Sequence, residues 1–153
     1  MEAKQKGNRR DKKAAGAYTA LQAAQNTVMA RLYKRKAFGE LTPSQFRVLA
    51  TLLEQGSQSQ TALCGAIARS TGNMVLVIDN LTKAGLVKRE GSKEDRRVKL
   101  VVLTDQGRKI VSDLIDGHNQ AVGEAMTPLN EQQLAELAAL AAALAGPEDC
   151  TES

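Results

Sequence analysis

The sequence predicts a mainly α-helical fold, with long helices on either side of a head made of short helices and a two-stranded β-ribbon. Three observations predict it. Hydrophobic residues make up 42% of the 153 positions, yet aromatics are only 3% and Trp is absent, so Ala and Leu carry the burial. Apolar residues recur at helical spacing in most of the chain, behind recognisable start signals. A single stretch, residues 87–103, departs from that spacing. It reads as two short β-type runs joined by a charged turn.

The elements follow in order. Residues 1–15 begin with six basic side chains and almost nothing to bury, the composition of a disordered basic arm. From Tyr18 to Lys36, Tyr18, Leu21, Val28 and Leu32 share one helical face, and Arg31, Lys34, Arg35 and Lys36 crowd the last turns, where cations complement the helix dipole. Thr42-Pro43-Ser44-Gln45 is a capping box with proline at the first helical position, and Leu41 and Phe46 are spaced as a hydrophobic staple. That helix buries Phe46, Leu49, Ala50 and Leu53 and ends at Gln55-Gly56. A short helix from about Ser59 to Ile67 buries Leu63 and Ile67.

Ser70 caps a second short helix over about Thr71–Ala84, whose core face is Met74, Val77, Ile78 and Leu81. Gly85 is placed as the left-handed residue after it, with Leu86 packing back on Leu81. Strands follow at about Val87–Glu90 and Val98–Leu103, in a two- or three-stranded sheet. Thr104 caps a long helix reaching about Met126, with Ile110, Val111, Leu114, Ile115 and Val122 inside. After Pro128, a second capping box, Asn130 to Gln133, starts the last helix. Its stripe of Leu134, Leu137, Ala141 and Leu144 runs to Gly146-Pro147.

Composition narrows the function. No apolar run approaches the ~18 residues of a membrane span, and the basic N-terminus lacks the apolar core of a signal peptide. Cys64 and Cys150 are too few for a disulfide framework, so a cytoplasmic protein is expected. Charge is unevenly spread: residues 1–99 hold 19 Lys/Arg against 8 Asp/Glu, while residues 100–153 hold 2 against 9. One end of the molecule is thus suited to a polyanion and the other is not.

Two short helices joined by a brief turn, then a charged ribbon, make a winged helix-turn-helix. A helix fits the major groove of duplex DNA, while a ribbon tip can reach the adjacent minor groove. With Met74, Val77, Ile78 and Leu81 inside, Thr71, Asn73, Val75, Leu76 and Asn80 are left facing outward. Asn can bond adenine in two places, and apolar side chains can touch the thymine methyl. At the ribbon tip Lys93, Arg96, Arg97 and Lys99 stand around Glu94 and Asp95.

These residues resemble the MarR family of bacterial transcription regulators, over Leu41 to Gly107. The family's wing signature, Asp-x-Arg, five residues, then Leu-Thr, is met by Asp95, Arg97, Leu103 and Thr104. Before it, Asp79 to Val87 matches the family's Asp-x-Leu-x-x-x-Gly-Leu-Val segment, and Asp105-Gln106-Gly107 follows. The resemblance implies that Arg97 enters the minor groove, with Asp95 holding that arginine or the turn in place. Lys93, Arg96 and Lys99 then sit against phosphates, supplying affinity rather than sequence choice. Where this chain has Val75 and Leu76, many family members carry a hydroxyl or a basic residue.

The resemblance further implies dimerisation helices over 16–40 and 105–146, flanking a DNA-binding domain over 41–104, with a polar tail at 147–153. It implies a homodimer on a pseudo-palindromic double-stranded operator, acting as a repressor released by a small phenolic or lipophilic effector. Tyr18, Leu21, Phe46 and Leu114 are the candidate pocket residues. Two alternatives stay open: an oxidant or electrophile sensor working through Cys64, and a winged-helix module used only for protein assembly. Catalysis has little to work with, since His118 is the only histidine and no phosphate-cradling Gly loop is present. A lone histidine also argues against a multi-histidine metal site, and no cofactor is expected.

Overall fold

The structure, a computed structural model, describes residues 2–67, 71–92 and 98–146. Among them are six helices: α1 (Glu2–Lys34), α2 (Pro43–Gln55), α3 (Gln60–Ile67), α4 (Thr71–Lys83), α5 (Asp105–Ala125) and α6 (Glu131–Ala145). Three strands, β1 (Gln58–Ser59), β2 (Val87–Gly91) and β3 (Lys99–Leu103), form one antiparallel sheet in the order β1-β3-β2.

Local chemistry sets most boundaries. Thr42 Oγ1 accepts from the Gln45 N–H at 3.2 Å while the Thr42 N–H donates to Gln45 Oε1 at 2.8 Å. Asn130 and Gln133 exchange the same pair of bonds at the start of α6. Both reciprocal caps satisfy donors that a helix start otherwise leaves orphaned. Gly85 takes φ 72°, where a side chain would be strained, and the Leu86 N–H closes back on the Leu81 carbonyl at 2.9 Å. Ser70, expected to cap α4, lies outside the described residues.

Two expectations change. The segment 1–15, expected to be a disordered arm, is helical from Glu2, continuing α1 to 33 residues, roughly 50 Å. Once a helix is nucleated each further residue adds a bond, and Lys, Arg, Gln and Ala are good helix formers. The short helix expected from about Ser59 starts one residue later, because Gln58 pairs with Val101 and Ser59 with Leu100 as the third strand of the sheet. Ser59 therefore ends a strand, and its Oγ accepts from the Ala62 N–H at 3.1 Å, capping α3.

The core lies in the head. Leu49, Leu52, Leu63, Met74, Ile78, Leu81, Val87, Val101 and Val111 are fully buried between α2, α3, α4, the sheet and the first turns of α5. α5 is anchored to the head at its start. Thr104 Oγ1 donates to the Gly85 carbonyl at 2.6 Å and accepts from the Gly107 N–H at 3.0 Å, and the Thr104 N–H reaches the Leu86 carbonyl at 3.1 Å. So close is this approach that a Cβ on Gly107 would lie 1.9 Å from the Leu86 oxygen.

Outside the head, α1 and α5 run antiparallel. Arg31 donates to the Ala125 carbonyl at 2.6 Å, Arg35 pairs with Glu124, and further down Ala37 meets His118 and Gly39 meets Leu114. No residue of α6 is buried, and residues 9–27 of α1 are exposed throughout.

Candidate functional site

Helix α4 and the ribbon make one surface. Met74, Ile78 and Leu81 turn fully into the core, which rotates the other side of α4 outward. Asn73 and Asn80 are exposed, Leu76 is 60% exposed and Val75 38%. Thr71 opens the helix, though its side chain falls outside what the structure describes.

In the ribbon, β2 and β3 pair from Val87–Leu103 to Gly91–Lys99, and the Ser92 N–H donates to the Val98 carbonyl at 2.9 Å. This last bond closes the ladder at the base of the tip. Lys93, Asp95, Arg96 and Arg97, which the sequence offers for DNA contact, lie outside the described residues. Lys99, the first residue of β3, is exposed.

Charges along the ribbon are partly spoken for. Lys88 lies 2.6 Å from Glu90, two positions on along the same face of β2. That hydrogen bond first, and the Glu90 charge second, raise the Lys88 ammonium above the ordinary lysine value. Arg89 reaches back to α4, its guanidinium 2.6 Å from Asp79 Oδ1. The bond fixes the ribbon against the helix and sets the angle between the two parts of the surface. Sequence reasoning missed it. Asp79 belongs to a recognised segment, but its partner is ten residues away on a different element, where no periodicity points.

The resulting surface presents amide donors and acceptors beside an apolar side chain on a helix, with a cationic ribbon alongside. Such a combination suits base edges plus phosphates. Among the described residues there is no group of His, Cys, Asp and Glu able to hold a metal ion, and no helix long and apolar enough to cross a membrane.

The four candidate pocket residues do not meet within one protomer. Phe46 is buried, its ring centroid 4.2 Å from His118 and 5.8 Å from Phe38, and Tyr33 stands 5.7 Å from Phe38 on the far side. Leu114 packs over Gly39 beside this cluster. Tyr18 lies 15 residues before Tyr33 on the same straight run of helix, roughly 22 Å away along the axis. Leu21 instead lines a groove of about 560 Å³ with Val28, Met29, Met126, Leu129 and Leu137. Within one protomer Tyr18 and Leu21 therefore lie further along α1 from the Phe46 and Leu114 cluster.

His118 is a packed residue. Its Nδ1 lies 3.1 Å from the Ala37 carbonyl, an oxygen that can only accept, so Nδ1 carries the proton. Cys64 is 2% exposed in α3, among core residues. Burial shields the thiol from oxidants in solution. Cys150 lies outside the described residues.

Comparison with known proteins fits this geometry. A profile of the MarR family matches residues 41–99. The HTH-type transcriptional regulator MhqR of Bacillus subtilis (strain 168) is 29% identical over 94 residues, 61% of this chain and 65% of that protein. The match thus spans just under two thirds of MhqR's length. A probable transcriptional regulator from Pseudomonas aeruginosa superposes with a TM-score of 0.74 at 28% identity, over 82% of this chain and 94% of that one. Bordetella bronchiseptica BpsR, whose DNA binding is regulated by 6-hydroxynicotinic acid, gives 0.74 at 27% identity, over 80% and 88%.

Proposed function

Because this chain belongs to the MarR family of winged-helix transcriptional regulators, we propose that it binds duplex DNA sequence-specifically and represses until a small effector releases it. One observation carries the DNA reading: the outward side of α4, with Asn73, Leu76 and Asn80, is locked to the cationic ribbon by Asp79 and Arg89. The helix enters the major groove, with Thr71 and Val75 at its margins. Arg97, steadied by Asp95, enters the minor groove, and Lys93, Arg96 and Lys99 contact phosphates.

The protein acts as a homodimer. Tyr18 and Leu21 on α1, and Leu137, Leu140 and Leu144 on α6, leave apolar stripes open on the outer helices, and a symmetric partner is the economical cover. Residues 16–40 and 105–146 then form the dimer body around the reading domain at 41–104. Its operator is a pseudo-palindrome with half-sites about one helical turn apart. The effector is a small phenolic or lipophilic compound, a reading supported by the ligand control of BpsR. It lodges at the α1–α2–α5 junction around Phe46 and Leu114. Tyr18 and Leu21 belong to the dimer face instead.

Selection of genomic fragments on the immobilised protein, followed by gel shift of the enriched sequence, tests the reading. A palindromic consensus bound at least 10³-fold more tightly than random duplex is expected. Equal binding to all sequences, or none, would leave a winged-helix module without DNA readout.

A further inference from the structure

Leu76 occupies the middle of the outward side of α4. It is two residues from both Met74 and Ile78, which are fully buried, and so about half a turn round the helix from each. Gly72 and Asn80 lie one turn before and one turn after it on the same side, and Asn73 stands beside it. Its exposure of 60% is well above the 38% of Val75, which lies toward the flank.

A single exposed leucine is ordinary on a protein surface. This one is placed otherwise: its helix is fixed by Arg89 to a ribbon carrying the exposed Lys99, and its neighbours are amides. Where this side of α4 meets a polyanion, Leu76 is the apolar group at the centre of contact. Gly72, having no side chain, lets the helix axis come close there. The major-groove edge of duplex DNA offers one apolar group, the C5-methyl of thymine. An Asn one turn away is suited to the adenine edge, so amide and leucine together match A·T pairs.

Resting on the DNA-binding reading above, we infer that Leu76 is the main specificity-determining residue of α4 and that it selects operators by covering a thymine methyl in each half-site. The consequence is unusual for a helix carrying two exposed asparagines. Discrimination between thymine and uracil at that base pair depends on one carbon atom, because uracil offers the same donor and acceptor pattern as thymine and lacks only the methyl.

The test uses the full-length protein and the operator enriched by genomic selection, amplified once with dTTP and once with dUTP. Each methyl covered contributes about fourfold in affinity, so the uracil operator should bind about fifteenfold more weakly when both half-sites are engaged. Leu76→Ala, at an exposed position that leaves the core untouched, should bind the thymine operator about as weakly as the unaltered protein binds the uracil one. It should also show a thymine-to-uracil ratio near one, with an unchanged far-ultraviolet spectrum. If the unaltered protein binds both operators equally, the inference falls while the regulator reading stands. If Leu76→Ala keeps the full discrimination, the methyl is read elsewhere and the assignment to Leu76 is wrong. Failure of the unaltered protein to prefer any duplex would bring down the regulator reading itself.

Discussion

The head and the outer helices of this protein are built on different terms. Between α2 and the start of α5, apolar side chains close on one another, and Leu49, Leu63, Met74 and Ile78 are fully buried within a single protomer. Along the first half of α1 and all of α6 they do not: Leu140 is 70% exposed and Leu144 74%. Both regions have good helical periodicity and both have reciprocal caps at a helix start. Periodicity therefore declares which side of a helix is apolar without declaring what covers it. In the head the cover is intramolecular. On the outer helices it is a second copy, in the reading proposed above.

The largest expected effect falls on the joint between the two regions. Gly107→Ala would drive a Cβ into the Leu86 carbonyl, and the atom it meets is backbone rather than a side chain that could swing aside. We expect a loss of about 3 kcal/mol or more in urea denaturation, with much of the chain unfolded at 37 °C. A variant as stable as the parent would show that α5 can slide on the head. Next come paired truncations that set the regions against each other. Leu49→Ala should cost about 2–5 kcal/mol at any protein concentration. Leu140→Ala should leave the unfolding of a dissociated protomer within about 0.5 kcal/mol, while raising the dimer dissociation constant in sedimentation equilibrium. Should the two variants respond alike to dilution, the contrast between head and outer helices is false.

Smaller effects refine the head itself. Arg97→Ala should weaken operator binding by ~1–3 kcal/mol and relax preference for an A·T-rich flank, where the minor groove is narrow. Lys99→Ala should weaken all sequences alike and lower the salt slope by about one unit. The two must separate in competition between operator and random duplex. Asp79→Asn is the mildest for stability, at most about 1 kcal/mol, because the pair with Arg89 is part-exposed and screened by solvent. Its effect on operator affinity through the ribbon angle should be no larger, since a tie of that strength can preorganise the ribbon by no more than its own free energy. Gel shift against the parent measures it.

What the sequence made legible is what neighbouring residues decide. Thr42 with Gln45, Asn130 with Gln133, and Gly85 with Leu86 each complete their bonds within a few positions, and all three were found from spacing alone. β1 was missed because Gln58 and Ser59 have no alternation, and only their pairing with β3 makes them a strand. The tie between Asp79 and Arg89, and those of Arg31 and Arg35 to the end of α5, were invisible for the same reason. Each depends on how elements pack, which no local pattern encodes. Of the candidate pocket residues, Phe46 and Leu114 share a neighbourhood within one protomer, whereas Tyr18 and Leu21 stand up to four turns of α1 away from it.

The anchoring of α5 has a mechanical side. Its 21 residues make a strut of roughly 32 Å, bolted at the lower end to the root of the ribbon through Thr104 and gripped at the upper end by Arg31 and Arg35. Motion is magnified along such a strut. A tilt of about 5° at the upper grip swings the ribbon root by roughly 3 Å, the distance of a hydrogen bond. A molecule wedged near Phe46 and His118, between the two ends, would sit close to the fulcrum. It need move its surroundings by only about 1 Å to lift the ribbon out of register with a groove.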